Sequence, residues 1–127
     1  MNTKPSVLLI DDDATTRRIH SASLAMAGFP THIVSSAEEA LKILEEKRVD
    51  VIVTDLIMPT YNGVDIITAV RECDYTKEIP VLVFTAGGSL ELIQKALQAG
   101  ANEVLQKHTT PPAKLIERIR ELAHAAR

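Results

Sequence analysis

A second cysteine is missing from this chain: Cys73 stands alone among 127 residues. An internal disulfide is therefore excluded, and a reducing, cytoplasmic setting is expected. No apolar run approaches the roughly 20 residues that span a bilayer. The amino-terminal run Val7-Leu8-Leu9-Ile10 is cut off by three aspartates, so it reads as no signal peptide. Net charge is −3, with both signs mixed along the chain. A clustered basic face for nucleic acid is absent. The four histidines, at positions 20, 32, 108 and 124, are scattered and form no ligand pattern; they read as surface or interface residues. Internal repeats, linkers and low-complexity tracts are lacking as well. Apolar residues make up 46% and charged residues 24%, which suits one folded domain, taken here as residues 1–127.

What is present is an alternation. Short apolar runs lie at 7–10, 32–34, 49–54, 81–84 and 104–105. Continuous β-branched runs bounded by polar turns predict strands buried on both faces, hence a parallel sheet. Between them run amphipathic segments. The first, about Ala14 to Ala27, is expected to bury Ile19, Ala22 and Met26, with Gly28 just past its end. The second opens on Ser35-Ser36-Ala37-Glu38-Glu39, a capping-box pattern, and turns Ala37, Ala40, Leu41 and Leu44 inward. The third follows Gly63 with Ile66, Ile67 and Val70. The fourth, about Leu90 to Gln98, offers Ile93, Ala96 and Leu97. The fifth starts at Thr110-Pro111-Pro112, a cap and an N1 proline, with Leu115, Ile119, Leu122 and Ala126 inward. Five strand–helix alternations predict a three-layer α/β domain with right-handed crossovers.

In a parallel sheet all strands end on one edge, where ligands bind. The first strand ends in Asp11, Asp12 and Asp13, the third in Asp55, the fourth in Thr85, and the fifth near Lys107. Crowded carboxylates repel unless a cation compensates. A hard divalent ion such as Mg²⁺ suits oxygen ligands, and the lysine and threonine suit phosphoryl oxygens. Together they point to phosphoryl transfer with a carboxylate nucleophile. Taken singly, Asp13 is a helix N-cap and Thr85 a strand-end hydroxyl satisfied by backbone.

These residues resemble the receiver domains of two-component response regulators along essentially the whole chain. The likeness rests on Ile10-Asp11-Asp12, on Asp55 with Met58-Pro59 and Gly63, on Phe84-Thr85-Ala86, and on Leu105-Gln106-Lys107. The resemblance implies a flavodoxin-like fold, a (βα)5 three-layer sandwich with a five-stranded parallel sheet in the order 2-1-3-4-5. Two helices would cover one face and three the other. It implies that Asp55 accepts a phosphoryl group from a phosphohistidine on a sensor histidine kinase or histidine phosphotransfer protein. Asp12 would hold Mg²⁺ directly and Asp11 mainly through water. Asp55 and the backbone carbonyl of Ile57 would complete the set. Lys107 would pair with the phosphoryl group, Thr85 would swing toward it, and Met58-Pro59 would fix the loop that presents Asp55. Such a protein catalyses only its own phosphorylation and dephosphorylation. It would signal to a downstream protein through the fourth helix, fifth strand and fifth helix, without direct nucleic-acid or membrane contact.

Three departures stand out. His108 follows the lysine where the family usually has a cis proline, and a cis bond without proline costs about 2.5–4 kcal/mol. Val104 replaces a switch aromatic. Ile57 and Gly87 are apolar where a polar side chain would orient an attacking water, so slow hydrolysis of the phosphorylated form is expected. Gly87-Gly88 marks a loop that is either a plain turn or a segment that reorders. Two other readings stay open. One is a receiver that is never phosphorylated and acts as a docking module. The other is a haloacid-dehalogenase-like phosphatase, since Asp11-Asp12-Asp13-Ala14-Thr15 satisfies D-x-D-x-T with Asp11 as nucleophile and Asp13 as the acid/base. The chain ends soon after the fifth helix, so no output domain is expected within it.

Overall fold

A computed structural model describes residues 4–58 and 62–126. Among these residues, five strands alternate with five helices: β1 (Val7–Ile10), α1 (Ala14–Met26), β2 (Thr31–Val34), α2 (Ala37–Glu46), β3 (Val51–Thr54), α3 (Gly63–Glu72), β4 (Val81–Thr85), α4 (Leu90–Ala99), β5 (Glu103–Gln106) and α5 (Pro112–Ala125). The sheet is parallel throughout, in the order β2-β1-β3-β4-β5. This is the flavodoxin-like order that the family resemblance implied.

The strands lack alternation because both of their faces are covered. Along β1, Val7 and Leu9 pack with Leu24 of α1 and with Leu115, Ile119 and Ala123 of α5. Leu8 and Ile10 point the other way, toward Ala40 and Leu44 of α2, Ile66, Ile67 and Val70 of α3, and Ala96 of α4. Two helices thus cover one face and three the other. Each large apolar side chain buried this way contributes about 1.5–3 kcal/mol.

Four helices begin on a side-chain cap. Asp13, Ser36, Asn62 and Ser89 each accept a hydrogen bond from the backbone N–H three residues on. Two end beside a glycine in the left-handed region, Gly28 at φ 86° and Gly100 at φ 122°. Helix α5 begins with Pro111 as cap and Pro112 at N1, and Thr110 precedes the cap instead of serving as it.

The apolar stripe expected inside α1 is not the packed one. Ile19 and Met26 are 50% and 90% exposed, and Ala22 also faces solvent. The buried face carries Thr16, His20 and Leu24. Hydrophobic periodicity picked the wrong stripe because two of the three packed positions are polar. His20 is accordingly a core residue, set edge-on to Phe84 with ring centroids 4.8 Å apart. Smaller shifts of the same kind expose Leu97 on α4 and Ala126 after α5, where Ala123 packs instead.

At the amino-terminal edge of the sheet, Arg71 ties three segments together. Its guanidinium donates to the carbonyls of Lys77, Ile79 and Gly100 and to Asn102 Oδ1. That same Asn102 oxygen accepts from the Val81 N–H.

Candidate functional site

Ladder hydrogen bonds run one residue past the strands and fix the acids at the opposite edge. The Asp11 N–H donates to Val34 O at 3.2 Å, and the Asp55 N–H to Ile10 O at 3.1 Å. Asp11 and Asp55 are buried, 1% and 8% exposed. Asp12, between Asp11 and the cap residue Asp13, faces solvent. One carboxylate oxygen from each of Asp11, Asp12 and Asp55 lies within 4.8 Å of the others.

Local backbone donors aim the two buried carboxylates. Asp11 Oδ1 accepts from the Asp13 N–H at 2.9 Å, and Asp55 Oδ1 from the Leu56 N–H at 2.7 Å. The remaining oxygens face Lys107, whose Nζ lies 2.7 Å from Asp11 Oδ2 and 3.2 Å from Asp55 Oδ2. Burial pushes the Asp11 carboxyl above its ordinary range, opposed by its hydrogen bond and charge contact with Lys107. Burial pulls Lys107 the other way, but hydrogen bonding and attraction to Asp11 and Asp55 lift its ammonium above its ordinary value. The ammonium therefore stays charged at neutral pH.

The peptide bonds among the described residues are all trans, that of Lys107-His108 included. Lys107 opens a 3-10 turn, Lys107–Thr109, and reaches the carboxylates without the proline the family usually has next. Thr85 bonds to its own turn: its hydroxyl donates to Gly87 O at 2.8 Å and accepts from the Gly87 N–H at 3.3 Å. Ile57 is 56% exposed, and Met58 is buried. Pro59 lies outside the described residues, so its expected part in fixing the loop is not placed.

Asp13 has a different job. Its carboxylate caps α1, accepting from Thr16 N–H at 3.0 Å and Thr16 Oγ–H at 2.6 Å. Those two bonds hold its carboxyl below the usual range, the side-chain bond contributing most. An acid/base role for Asp13, as the phosphatase reading requires, has no support in this placement. Two neighbours escaped the sequence reading. Thr16 accepts from Lys107 Nζ at 3.3 Å, and the Arg17 guanidinium donates to Asp11 O at 2.8 Å. The spacing Asp13-x-x-Thr16 was the available signal, a cap bonded three residues on.

The donor set fits a hard cation. Three carboxylates against one ammonium leave two formal negative charges in a half-buried pocket lined by oxygen. Mg²⁺ favours such ligands and keeps part of its water shell.

The chain matches the family model described as "Response regulator receiver domain" over residues 7–120. It is 37% identical over 109 residues to a probable chemotaxis protein CheY of Rhizobium etli, with 84% of each chain covered. It is 35% identical over 120 residues to the transcriptional regulatory protein PrrA of Mycobacterium bovis, spanning 94% of this chain but 50% of that protein. Among solved structures it resembles the chemotaxis response regulator CheY4 of Vibrio cholerae: TM-score 0.85, 31% identity, 94% of this chain and 99% of that one. No helix among the described residues is long and apolar enough to cross a membrane.

Proposed function

Since this chain belongs to the response regulator receiver domains of two-component systems, we propose that Asp55 is its phosphoacceptor. One observation carries the reading: Asp55, Lys107, Asp11 and Asp12 come from three strand ends and meet in one half-buried pocket. Asp55 is held by the Leu56 N–H on one oxygen and faces Lys107 with the other. A carboxylate oxygen attacks the phosphorus of a phosphohistidine. The new O–P bond makes an acyl phosphate, the N–P bond breaks, and the imidazole leaves with a proton from solvent.

Asp11, Asp12, Asp55 and the Ile57 carbonyl would hold Mg²⁺, which neutralises charge building on the phosphoryl oxygens. Lys107 pairs with one phosphoryl oxygen. The Thr85 hydroxyl, now bonded to Gly87, is the group that would exchange that partner for another. The donor is a sensor histidine kinase or a histidine phosphotransfer protein. The readout is a protein partner at the α4–β5–α5 face, where Leu90 and Leu97 are 71% and 47% exposed. The chain acts as a single signalling domain in the cytoplasm.

A small-molecule phosphodonor with Mg²⁺ tests this. Mass spectrometry is expected to show one added phosphoryl group, lost with a chelator and in Asp55→Asn. An unmodified wild-type chain would favour the docking-module reading.

A further inference from the structure

The packed face of α1 opens with a hydroxyl where an apolar side chain would fill space as well. Thr16 is 8% exposed, and its hydroxyl links Asp13, the cap of α1, to the site residue Lys107. Its Oγ–H donates to Asp13 Oδ2 at 2.6 Å, which fixes the proton on that side. The lone pairs of Oγ1 are left to face Lys107, whose Nζ donates at 3.3 Å. The geometry points to Thr16 as a positioning residue: the neutral acceptor that keeps Lys107 seated when a divalent cation draws the carboxylates to itself.

Lys107 has three acceptors, Asp11 Oδ2, Asp55 Oδ2 and Thr16 Oγ1. Two of them belong to the carboxylate cluster that suits the metal. A bound dication repels the ammonium and competes for the same oxygens. An ammonium with three donors, 14% exposed along its side chain, then needs an uncharged partner to hold its place. Thr16 is such a partner, and its bond to the Asp13 carboxylate makes it a better acceptor. Asp13 does this from outside the three-carboxylate cluster, anchored as the cap of α1. Neither Thr16 nor Asp13 is then drawn away from Lys107 by the metal.

This inference rests on the phosphoacceptor reading, and the test separates the two. Mg²⁺ is titrated calorimetrically into the whole chain as wild type, Thr16→Ser, Thr16→Val and Thr16→Ala. Wild type and serine are expected to bind alike. Valine and alanine should raise the Mg²⁺ Kd by about tenfold, the worth of one hydrogen bond to a charged group. They differ in volume and helix propensity, so a shared loss tracks the hydroxyl and not packing. Melting temperatures in chelator report any folding defect apart from binding. Should neither variant fold, Thr16→Cys keeps the shape with a weak acceptor, and the same loss is expected. A wild-type Kd in the hydroxyl-free variants would overturn the role of Thr16 while Asp55 is still modified. A wild-type chain that takes up neither Mg²⁺ nor phosphoryl group would overturn both.

Discussion

Gly63 stands directly behind the backbone of Asp55: a Cβ added at position 63 would run into the Asp55 carbonyl oxygen and come within 3.0 Å of Leu56 Cα. The Gly63 N–H also donates to Leu56 O at 2.8 Å. The start of α3 is thus pressed against the segment that carries Asp55. Space, and not an unusual φ, demands glycine here. Gly63→Ala is expected to destabilise the fold by about 1–3 kcal/mol, as overpacking does. It should also slow phosphorylation by moving Asp55. A urea midpoint equal to wild type would refute the first expectation.

Lys107→Met leaves Asp11 and Asp55 without their ammonium. Breaking a buried pair from one side costs about 3–5 kcal/mol, and Mg²⁺ should restore part of it by binding the folded state. Burial already raises the Asp11 carboxyl, so in the variant the folded chain holds this proton more tightly than the unfolded one. Stability of the variant should therefore rise as pH falls from neutral toward the carboxyl range. Urea melts at two pH values, with and without Mg²⁺, measure both effects. A deficit that ignores pH would refute the account.

His20 gives the opposite slope at mildly acid pH. Burial, and secondarily the charge of Lys107, lower its pKa in the folded chain below 6.5. Its Nδ1 is buried without a hydrogen-bond partner. The unfolded chain then takes up the proton first as pH drops through about 6.5, so folding stability falls below that point and is unaffected above it. His20→Leu should flatten the urea midpoint between pH 7.5 and 5.5, values chosen about one unit to either side. An unchanged slope in the variant would assign the effect to other groups.

The Ile57 side chain offers no polar atom for orienting water, and Gly87 has no side chain to offer one. A long-lived acyl phosphate is expected. Ile57→Asn should speed hydrolysis about fivefold, the worth of one ordinary hydrogen bond. Loss of the phosphoryl mass with time gives the rate, and a variant as slow as wild type would count against the idea.

A parallel sheet covered on both faces could be read ahead of the structure because continuous runs such as Val81 to Phe84 mark such strands, whereas the strand order came from the family resemblance. The site was readable for a related reason: parallel strands gather Asp11, Asp55 and Lys107 however far apart they lie in the chain. Polarity inside α1 was not readable. Thr16 and His20 look like solvent-facing residues until Lys107 and Phe84 are known to lie beneath them, and the apolar Ile19 and Met26 drew the helix face toward themselves. The placement of Thr85 is a third case. Its type suits the pocket, but which partner its hydroxyl takes is decided by the turn at Gly87.

Arg71 sits at the far end of the molecule from all this, closing the carbonyls of Lys77, Ile79 and Gly100 and fixing Asn102. One side chain thereby clamps the entries to β4 and β5. Deuterium uptake should expose the resulting asymmetry. The amides of Val81 and Asn102 are expected to exchange only when the whole domain opens, while that of Gly87, resting on a side-chain hydroxyl, exchanges by a local event. A floor that opens only with the whole domain would leave local rearrangement to the Gly87 turn on the opposite rim.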